Sequence, residues 1–246
     1  GQISVAGAGN EHVPFQVVIT TPVPEGYEPE APDGFFIEGS ELTSGDGETI
    51  GEDQIDFYLE HYIHLYAESG PIGDTGYWPD ALAPIQEPFS MEAEYSVVRN
   101  RPIWVDLQIP TDTPAGTYSG TITVMQDSET IETLDLEVEV YDFSLPEQTH
   151  MITYINTSRG RLADFYDMSS SSDKMQELTH IYYDELYSNR MEPWFNDPLE
   201  PEVSVSGETV EVAFDEERYD YYMNELNSNR VLLEAFPGEL EDAVEE

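Results

Sequence analysis

Residues 134–146 read Leu134-Asp135-Leu136-Glu137-Val138-Glu139-Val140-Tyr141-Asp142-Phe143-Ser144-Leu145-Pro146, and a change of hydrophobic period at their end decides the fold. Within the stretch, Leu134, Leu136, Val138 and Val140 alternate with acids, the two-residue period of a strand with one face buried. The same period runs upstream through Ile103, Val105, Leu107 and Ile109, set between Trp104, Asp106 and Gln108. Between these two segments, Thr117 to Val124 reads as a strand, bounded by Pro114-Ala115-Gly116 and by the polar turn Gln126-Asp127-Ser128-Glu129. Val13 to Thr20 and Ile55 to Tyr66 supply two further strands, and the Gly- and Pro-rich stretch from Gly70 to Pro88 reads as a long ordered loop. Many short strands with Gly/Pro punctuation predict an antiparallel β-sandwich over residues 1–146.

After Pro146 the order becomes strand, helix, strand, helix, strand. Met151 to Asn156 and Met191 to Phe195 are short apolar strands, and Val231 to Phe236 is a third. Between them, Asp173 to Asn189 is helical, with Met175, Leu178, Tyr182 and Leu186 on one face and a capping-box pattern in Asp173 and Gln176. Glu216 to Ser228 is a second helix, with Asp215 as its N-cap and Tyr219, Tyr222, Met223 and Leu226 on its apolar face. Glu185-Leu186-Tyr187-Ser188-Asn189-Arg190 returns as Glu225-Leu226-Asn227-Ser228-Asn229-Arg230, each copy ending a helix before an apolar strand. Asn there suits a left-handed cap, and Arg complements the negative end of the helix dipole. One βα unit used twice predicts the opening of a (β/α)8 TIM-type barrel over residues 147–246, although two helix ends can also resemble one another by chance. A barrel of about 250 residues needs about 31 per unit. Residues 150 to 246 number 97, room for about three units, so a truncated barrel is expected. Because the chain starts at Gly1 without an initiator Met or signal sequence, its natural N-terminus is also expected to be missing.

Charge narrows the function classes. The 246 residues carry 52 Asp and Glu against 8 Lys and Arg, a formal net charge of −44, and the one lysine is Lys174. Disorder is a poor explanation for a chain with 16 Tyr, 10 Phe and 3 Trp. A calcium-loaded surface is also poor, because Asp46-Gly47-Glu48 lacks the further oxygen ligands of a calcium loop. High salt fits: at molar ionic strength the Debye length falls to about 3 Å, repulsion between carboxylates nearly vanishes, and their hydration keeps the protein dissolved. A halophilic source is therefore expected. The same charge argues against nucleic acid as a partner. No apolar run reaches the roughly 18 residues of a membrane span. With no cysteine there are neither disulfides nor thiolate metal sites, and no cofactor or metal is expected.

Several motifs together carry a family resemblance. Asn10-Glu11-His12-Val13-Pro14-Phe15-Gln16, Tyr77-Trp78-Pro79-Asp80-Ala81-Leu82-Ala83-Pro84 and Pro102-Ile103-Trp104-Val105-Asp106-Leu107-Gln108-Ile109-Pro110 come first. Thr113-Pro114-Ala115-Gly116-Thr117-Tyr118-Ser119-Gly120-Thr121-Ile122-Thr123-Val124 and Val140-Tyr141-Asp142-Phe143-Ser144-Leu145-Pro146 follow. In this order, from Gly9 to Pro146, they resemble the N-terminal sandwich that precedes the barrel in bacterial and archaeal proteins similar to glycoside hydrolase family 123. In many of those proteins the catalytic part is described only as a domain of unknown function. The motifs also have plain structural explanations as turns and strand ends, so they mark a scaffold more than a reaction.

The resemblance implies hydrolysis of a glycosidic bond, in one version beside an N-acetylated sugar. There an Asp positions the substrate's acetamido group as nucleophile and the adjacent Glu protonates the leaving oxygen. By the same resemblance that pair lies near the end of the fourth barrel strand, beyond Glu246. No catalytic residue is assigned within this chain: Asp184-Glu185 and Glu216-Glu217 lie on helices, and about 11 adjacent acidic pairs arise by chance at this density.

Substrate-lining candidates follow from barrel geometry, in which chemistry gathers at the carboxyl ends of strands and in the loops after them. Asn156, Trp194 and Glu234 sit at or near those ends, with core packing of Trp194 and ion pairing of Glu234 as alternatives. Arg159 and Arg161, two of seven arginines, stand on the long loop after the first barrel strand. They suit an anionic sugar such as a uronic acid, unless they pair with the chain's own carboxylates. His61 and His64 fall on opposite faces of a strand and read as structural. Residues 203–212 read as a hairpin inserted on the same rim. The leading expectation is an exported hydrolase of poly- or oligosaccharides, extracellular or at the cell surface. A non-catalytic glycan-binding or cell-surface protein on the same scaffold is the second, and a purely structural module the third.

Overall fold

A computed structural model describes residues 1–20, 32–68, 70, 73–91, 100–147, 149–151, 153, 155–194, 202–206, 209–213 and 216–226. The chain divides into two compact units, Gly1–Pro146 and Glu147–Glu246.

Among its described residues the first unit has ten strands: β1 (Gln2–Gly9), β2 (Glu11–Thr20), β3 (Phe35–Gly39), β4 (Leu42–Ser44), β5 (Thr49–Ile50), β6 (Ile55–Leu65), β7 (Gly76–Pro84), β8 (Asn100–Ile109), β9 (Gly116–Gln126) and β10 (Glu129–Ser144). They form two sheets, one in the order β1-β10-β9-β4-β5 with β3 also on β9, the other in the order β2-β8-β6-β7. Alternation explains their shared core. Ile103, Val105, Leu107 and Ile109 of β8 and Val13 and Val17 of β2 are buried in one cluster with Tyr118, Ile122 and Val124 of β9 and Leu136, Val138 and Val140 of β10. Two sheets closing on one apolar layer make a sandwich.

It is not wholly antiparallel, which corrects the sequence reading. β1 pairs parallel with β10, from Gln2↔Asp135 to Gly7↔Val140. The cause is a corner at Asn10, where the chain leaves the first sheet and enters the second as β2. Asn10 takes φ 59°, a left-handed conformation its short amide side chain tolerates. Its N–H donates to the Ile109 carbonyl at 2.8 Å, its Nδ2 donates to the Leu145 carbonyl at 3.0 Å, and the Leu145 N–H donates to Gly9 O at 2.8 Å. A Cβ on Gly9 would come within 2.6 Å of the Thr111 carbonyl, so the corner requires glycine there. The Asn10–Gln16 and Val140–Pro146 motifs are thus two sides of one joint.

A second correction concerns Gly70 to Pro88, which holds the strand β7. β7 runs antiparallel to β6 from Tyr58↔Pro84 to Leu65↔Gly76. It is the outer strand of its sheet, and an edge strand accepts Pro79 and Pro84, which in sequence look like breakers. Asp80 is the extra residue of a bulge between the partners of His61 and Tyr62. Tyr118 shows what holds the Pro114-Ala115-Gly116-Thr117-Tyr118 turn together. Its ring is buried, 1% exposed, and its hydroxyl donates back to the Pro114 carbonyl at 2.9 Å. Burial, and then the nearby Glu48 carboxylate, hold its phenol above the usual range.

In the second unit, β11 (Ile155–Asn156), α1 (Arg159–Phe165), α2 (Asp173–Ser188) and β12 (Pro193–Trp194) come first. They are followed by the hairpin β13 (Glu202–Ser206) and β14 (Thr209–Ala213), then by α3 (Glu216–Asp220), which runs into a π-helical turn over Tyr221–Glu225. β11 and β12 pair in parallel, joined by helices, the connection a parallel pair requires. The hairpin pairs from Glu202↔Ala213 to Ser206↔Thr209.

Local details depart from the pattern. Arg159 and Arg161 lie on α1 rather than on an open loop; seven residues are too few to show periodicity. Ser172, not Asp173, caps α2, its Oγ accepting from the Met175 N–H at 3.3 Å. The buried stripe of α2 is Met175, Thr179 and Tyr183, one position round from the face expected. Thr179 can be buried because its hydroxyl donates to the Met175 carbonyl at 2.7 Å. Asn189 is not left-handed; Arg190 is, at φ 58°. Arg190 N–H donates to Tyr187 O at 2.9 Å and Met191 N–H to Leu186 O at 2.8 Å, a Schellman closure. Tyr222 and Leu226 are buried as expected, but Tyr219 is exposed. Asp215, most of the second repeat copy (227–230), the third strand (231–236) and Glu234 lie outside the described residues.

Candidate functional site

Two of the candidates, Asn156 and Trp194, stand on the β11–β12 ladder. Ile155 pairs with Pro193 and Asn156 with Trp194, so the last two residues of both strands stand side by side at their carboxyl ends. The ladder is extended at its start by the Ile155 N–H donating to Glu192 O at 3.1 Å, and by the Glu192 N–H donating to Thr153 Oγ1 at 2.6 Å. Asn156 is exposed, and its amide can both donate and accept. Two residues further on, Ser158 caps α1, its Oγ accepting from the Arg161 N–H at 3.4 Å. Arg159 and Arg161 therefore occupy the first turn of α1, next to the ends of β11 and β12. Cations in a first turn oppose the helix dipole, so the local helix gains nothing from these two arginines. Arg161 is exposed and Arg159 half-buried. Of the five candidates, Asn156, Trp194, Arg159 and Arg161 are thus close in the fold, and Glu234 lies outside the described residues.

Sequence reasoning missed a cleft elsewhere in this unit. A cleft of about 320 Å³ is lined by Glu147, Thr149, Asp184, Tyr187, Ser188, Glu192 and Leu226. Apart from Leu226 after the π turn, these residues precede β11 and β12 or close α2, so the cleft lies at the opposite ends of the strands from Asn156 and Trp194. In barrels that end serves stability. Beside it, α2 meets the π turn through aromatic rings: His180 stacks on Tyr221 at 4.3 Å, and Tyr183 sits 6.5 Å from Tyr222. Tyr221 Oη donates to Asp184 Oδ1 at 3.1 Å. Burial first, and then the Asp184 charge, push the Tyr221 phenol far above its usual range.

That shift has a sign. A phenol with a raised folded pKa is kept protonated by the fold, so its stabilisation is present below the unfolded value of 10.0 and is lost as pH climbs beyond it. The melting temperature of the wild type should fall above pH 10, and Tyr221→Phe should flatten that fall while changing little at pH 7. Identical alkaline profiles in thermal melts would remove Tyr221 as the cause.

Among the described residues no three His, Asp or Glu side chains are grouped to hold a metal ion, and no helix is long and apolar enough to cross a membrane.

Residues 9–126 match the Glycoside hydrolase 123 N-terminal domain. Among solved structures, a family 123 glycoside hydrolase from Clostridium perfringens, described for glycolipid glycan hydrolysis, aligns with a TM-score of 0.64 at 16% identity. The alignment covers 92% of this chain and 41% of that one, so the chain spans well under half the length of this relative. MyfA, the major subunit of Myf fimbriae from Yersinia enterocolitica in complex with galactose, aligns over 53% of this chain and 83% of its own at 12% identity; its TM-score of 0.26 carries no argument. No curated protein matches the chain. In its sandwich, this chain is similar to the N-terminal region of glycoside hydrolase family 123.

Proposed function

We propose that the chain is the sandwich and the opening βα units of a (β/α)8 barrel in a glycosidase of the family 123 type. In this reading the protein works in salty surroundings, outside the cell or at its surface, on N-acetylhexosaminide bonds of poly- or oligosaccharides. The observation that carries it is the parallel ladder setting Asn156 beside Trp194 at the carboxyl ends of β11 and β12, in a chain whose residues 9–126 match the family's N-terminal domain. Loops after those ends hold the substrate in barrel enzymes. Asn156 then bonds sugar hydroxyls or an acetamido group, and Trp194 and Glu234 are the other sugar contacts in this reading. Arg159 and Arg161 add preference for an acidic residue in the glycan. The substrate's acetamido group acts as nucleophile, and an Asp-Glu pair on the fourth barrel strand orients it and protonates the leaving oxygen.

The test uses the protein extended through its barrel, in molar salt, on an aryl N-acetylhexosaminide. Asn156→Ala and Trp194→Ala should each lower kcat/KM about tenfold, equivalent to about 1.4 kcal/mol of transition-state binding. Unaltered kcat/KM in both would remove the rim from the reading. Arg159→Gln with Arg161→Gln should reduce turnover of uronic-acid-containing glycans and spare neutral ones. Apolar or amide residues in place of the Asp-Glu pair, with glycan affinity intact, would make the protein a non-catalytic binder.

A further inference from the structure

The β6–β8 ladder ends at Leu59↔Ile103, whereas the β6–β7 ladder continues to Leu65↔Gly76. Beyond Leu59, then, β6 is laddered to β7 alone, and the hairpin leaves the sheet as a two-stranded ribbon. Along one face His64 packs edge-on against Tyr66 at 4.2 Å and Tyr77 at 4.6 Å between ring centroids, with Tyr77 directly opposite His64 in the ladder. Tyr62, two residues before His64 on the same strand, anchors the base by donating its hydroxyl to the Asn100 carbonyl at 3.3 Å. Tyr66 is 85% exposed and Tyr77 36%; Trp78, paired with Ile63, is 45% exposed.

A two-stranded ribbon is only marginally stable in water, and around His64 this one displays rings, its exposed carboxylate Asp80 standing at the bulge. Tyr62 to Tyr66 and Gly76 to Pro79 contain no carboxylate, in a chain where 52 of 246 residues are acidic. The nearby Glu60 is buried and held by Gln16 Nε2 at 2.7 and 2.9 Å to its two oxygens. The stretches around His64 therefore present rings where carboxylates are frequent elsewhere in the chain.

Chemistry selects the occupant. Tyr62 to Tyr66 and Gly76 to Pro79 hold no Lys or Arg to pair with an anionic partner. A purely apolar partner would meet phenol hydroxyls and an imidazole set among the rings. A sugar satisfies both demands, because its C–H faces lie against the electron-rich ring faces while its hydroxyls bond to phenol and imidazole. Being neutral, it does so at any salt concentration. We propose that the β6–β7 ribbon is a glycan-binding site, with a neutral oligosaccharide lying across Tyr66, His64 and Tyr77. The site belongs to the sandwich alone and does not depend on the barrel reading.

The experiment titrates the 246-residue chain in 2 M NaCl with tetra-N-acetylchitotetraose and, separately, cellotetraose, following tryptophan fluorescence and calorimetric heat. Saturable binding of at least one sugar is expected. The double variant Tyr66→Ala/Tyr77→Ala should weaken it at least tenfold with an unchanged far-UV circular dichroism spectrum. Tyr66→Phe/Tyr77→Phe, which keeps the rings, should weaken it less. Tyr141→Ala, at an exposed tyrosine of β10, should leave it unchanged. No binding of either sugar, or wild-type affinity in the double alanine variant, overturns the proposal. So does a dimer in sedimentation that dissociates in the double variant without any sugar binding, which would give the ribbon to a second copy of the chain.

Discussion

Dilution from molar sodium or potassium chloride into buffer below about 0.1 M ionic strength should unfold the protein at room temperature. At that point the Debye length reaches about 10 Å. β10 shows where the strain arises. Asp135, Glu137 and Glu139 are exposed along one face, roughly 7 Å apart by strand geometry. On β1 they stand opposite Gln2, Ser4 and Ala6, and on β9 opposite Thr121, Ser119 and Thr117, so no cation answers them across either ladder. At 1 M salt the screening length of about 3 Å is shorter than their spacing; in dilute buffer it is longer, and the row repels itself. Far-UV circular dichroism across a salt series measures the loss, and a spectrum and melting curve unchanged between dilute buffer and molar salt would defeat the halophilic reading. Glu137→Lys, placed between two acids, should raise the melting temperature in dilute buffer and leave it nearly unchanged in molar salt.

Tyr118→Ala should be among the most damaging single changes in the sandwich. It deletes a buried ring between the two sheets, and large-to-small changes of an aromatic core residue cost about 3–5 kcal/mol. For a domain of this size that lowers the melting temperature by roughly 10 °C. Tyr118→Phe keeps the ring and loses only the bond to the Pro114 carbonyl, a cost of about 1 kcal/mol. Thermal melts of both variants in molar salt separate packing from hydrogen bonding. An alanine variant that melts with the wild type would show that the ring is not part of the core.

β8 and β10 could be read from sequence because each buries one face fully, and a buried face forces period two on its residues. β7 could not, since Pro79, Pro84 and a bulge at Asp80 hide a strand that only an edge position permits. β1 escaped as well: its second half, Ala6-Gly7-Ala8-Gly9, carries no alternation, and its parallel partner lies more than a hundred residues away. In the second unit, α2 was read in place but rotated by one position, because Thr179 satisfies its own hydroxyl and so passes for a polar surface residue. The strand ends that hold Asn156 and Trp194 were legible from apolar runs. Their adjacency was not, for a ladder's register is fixed by backbone hydrogen bonds that leave no trace in side-chain type. α1 was illegible because a capped helix of about two turns has no period to detect.

The pairing of Gln2 with Asp135 sets an order of events during synthesis. A ribosome adding roughly 5–20 residues per second delivers the partner of the first strand only about 7 to 27 seconds after that strand has been made. Until then β1 lacks its parallel partner. The corner at Asn10 cannot close before Leu145 has left the exit tunnel, so the sandwich is completed by its oldest residues joining its youngest.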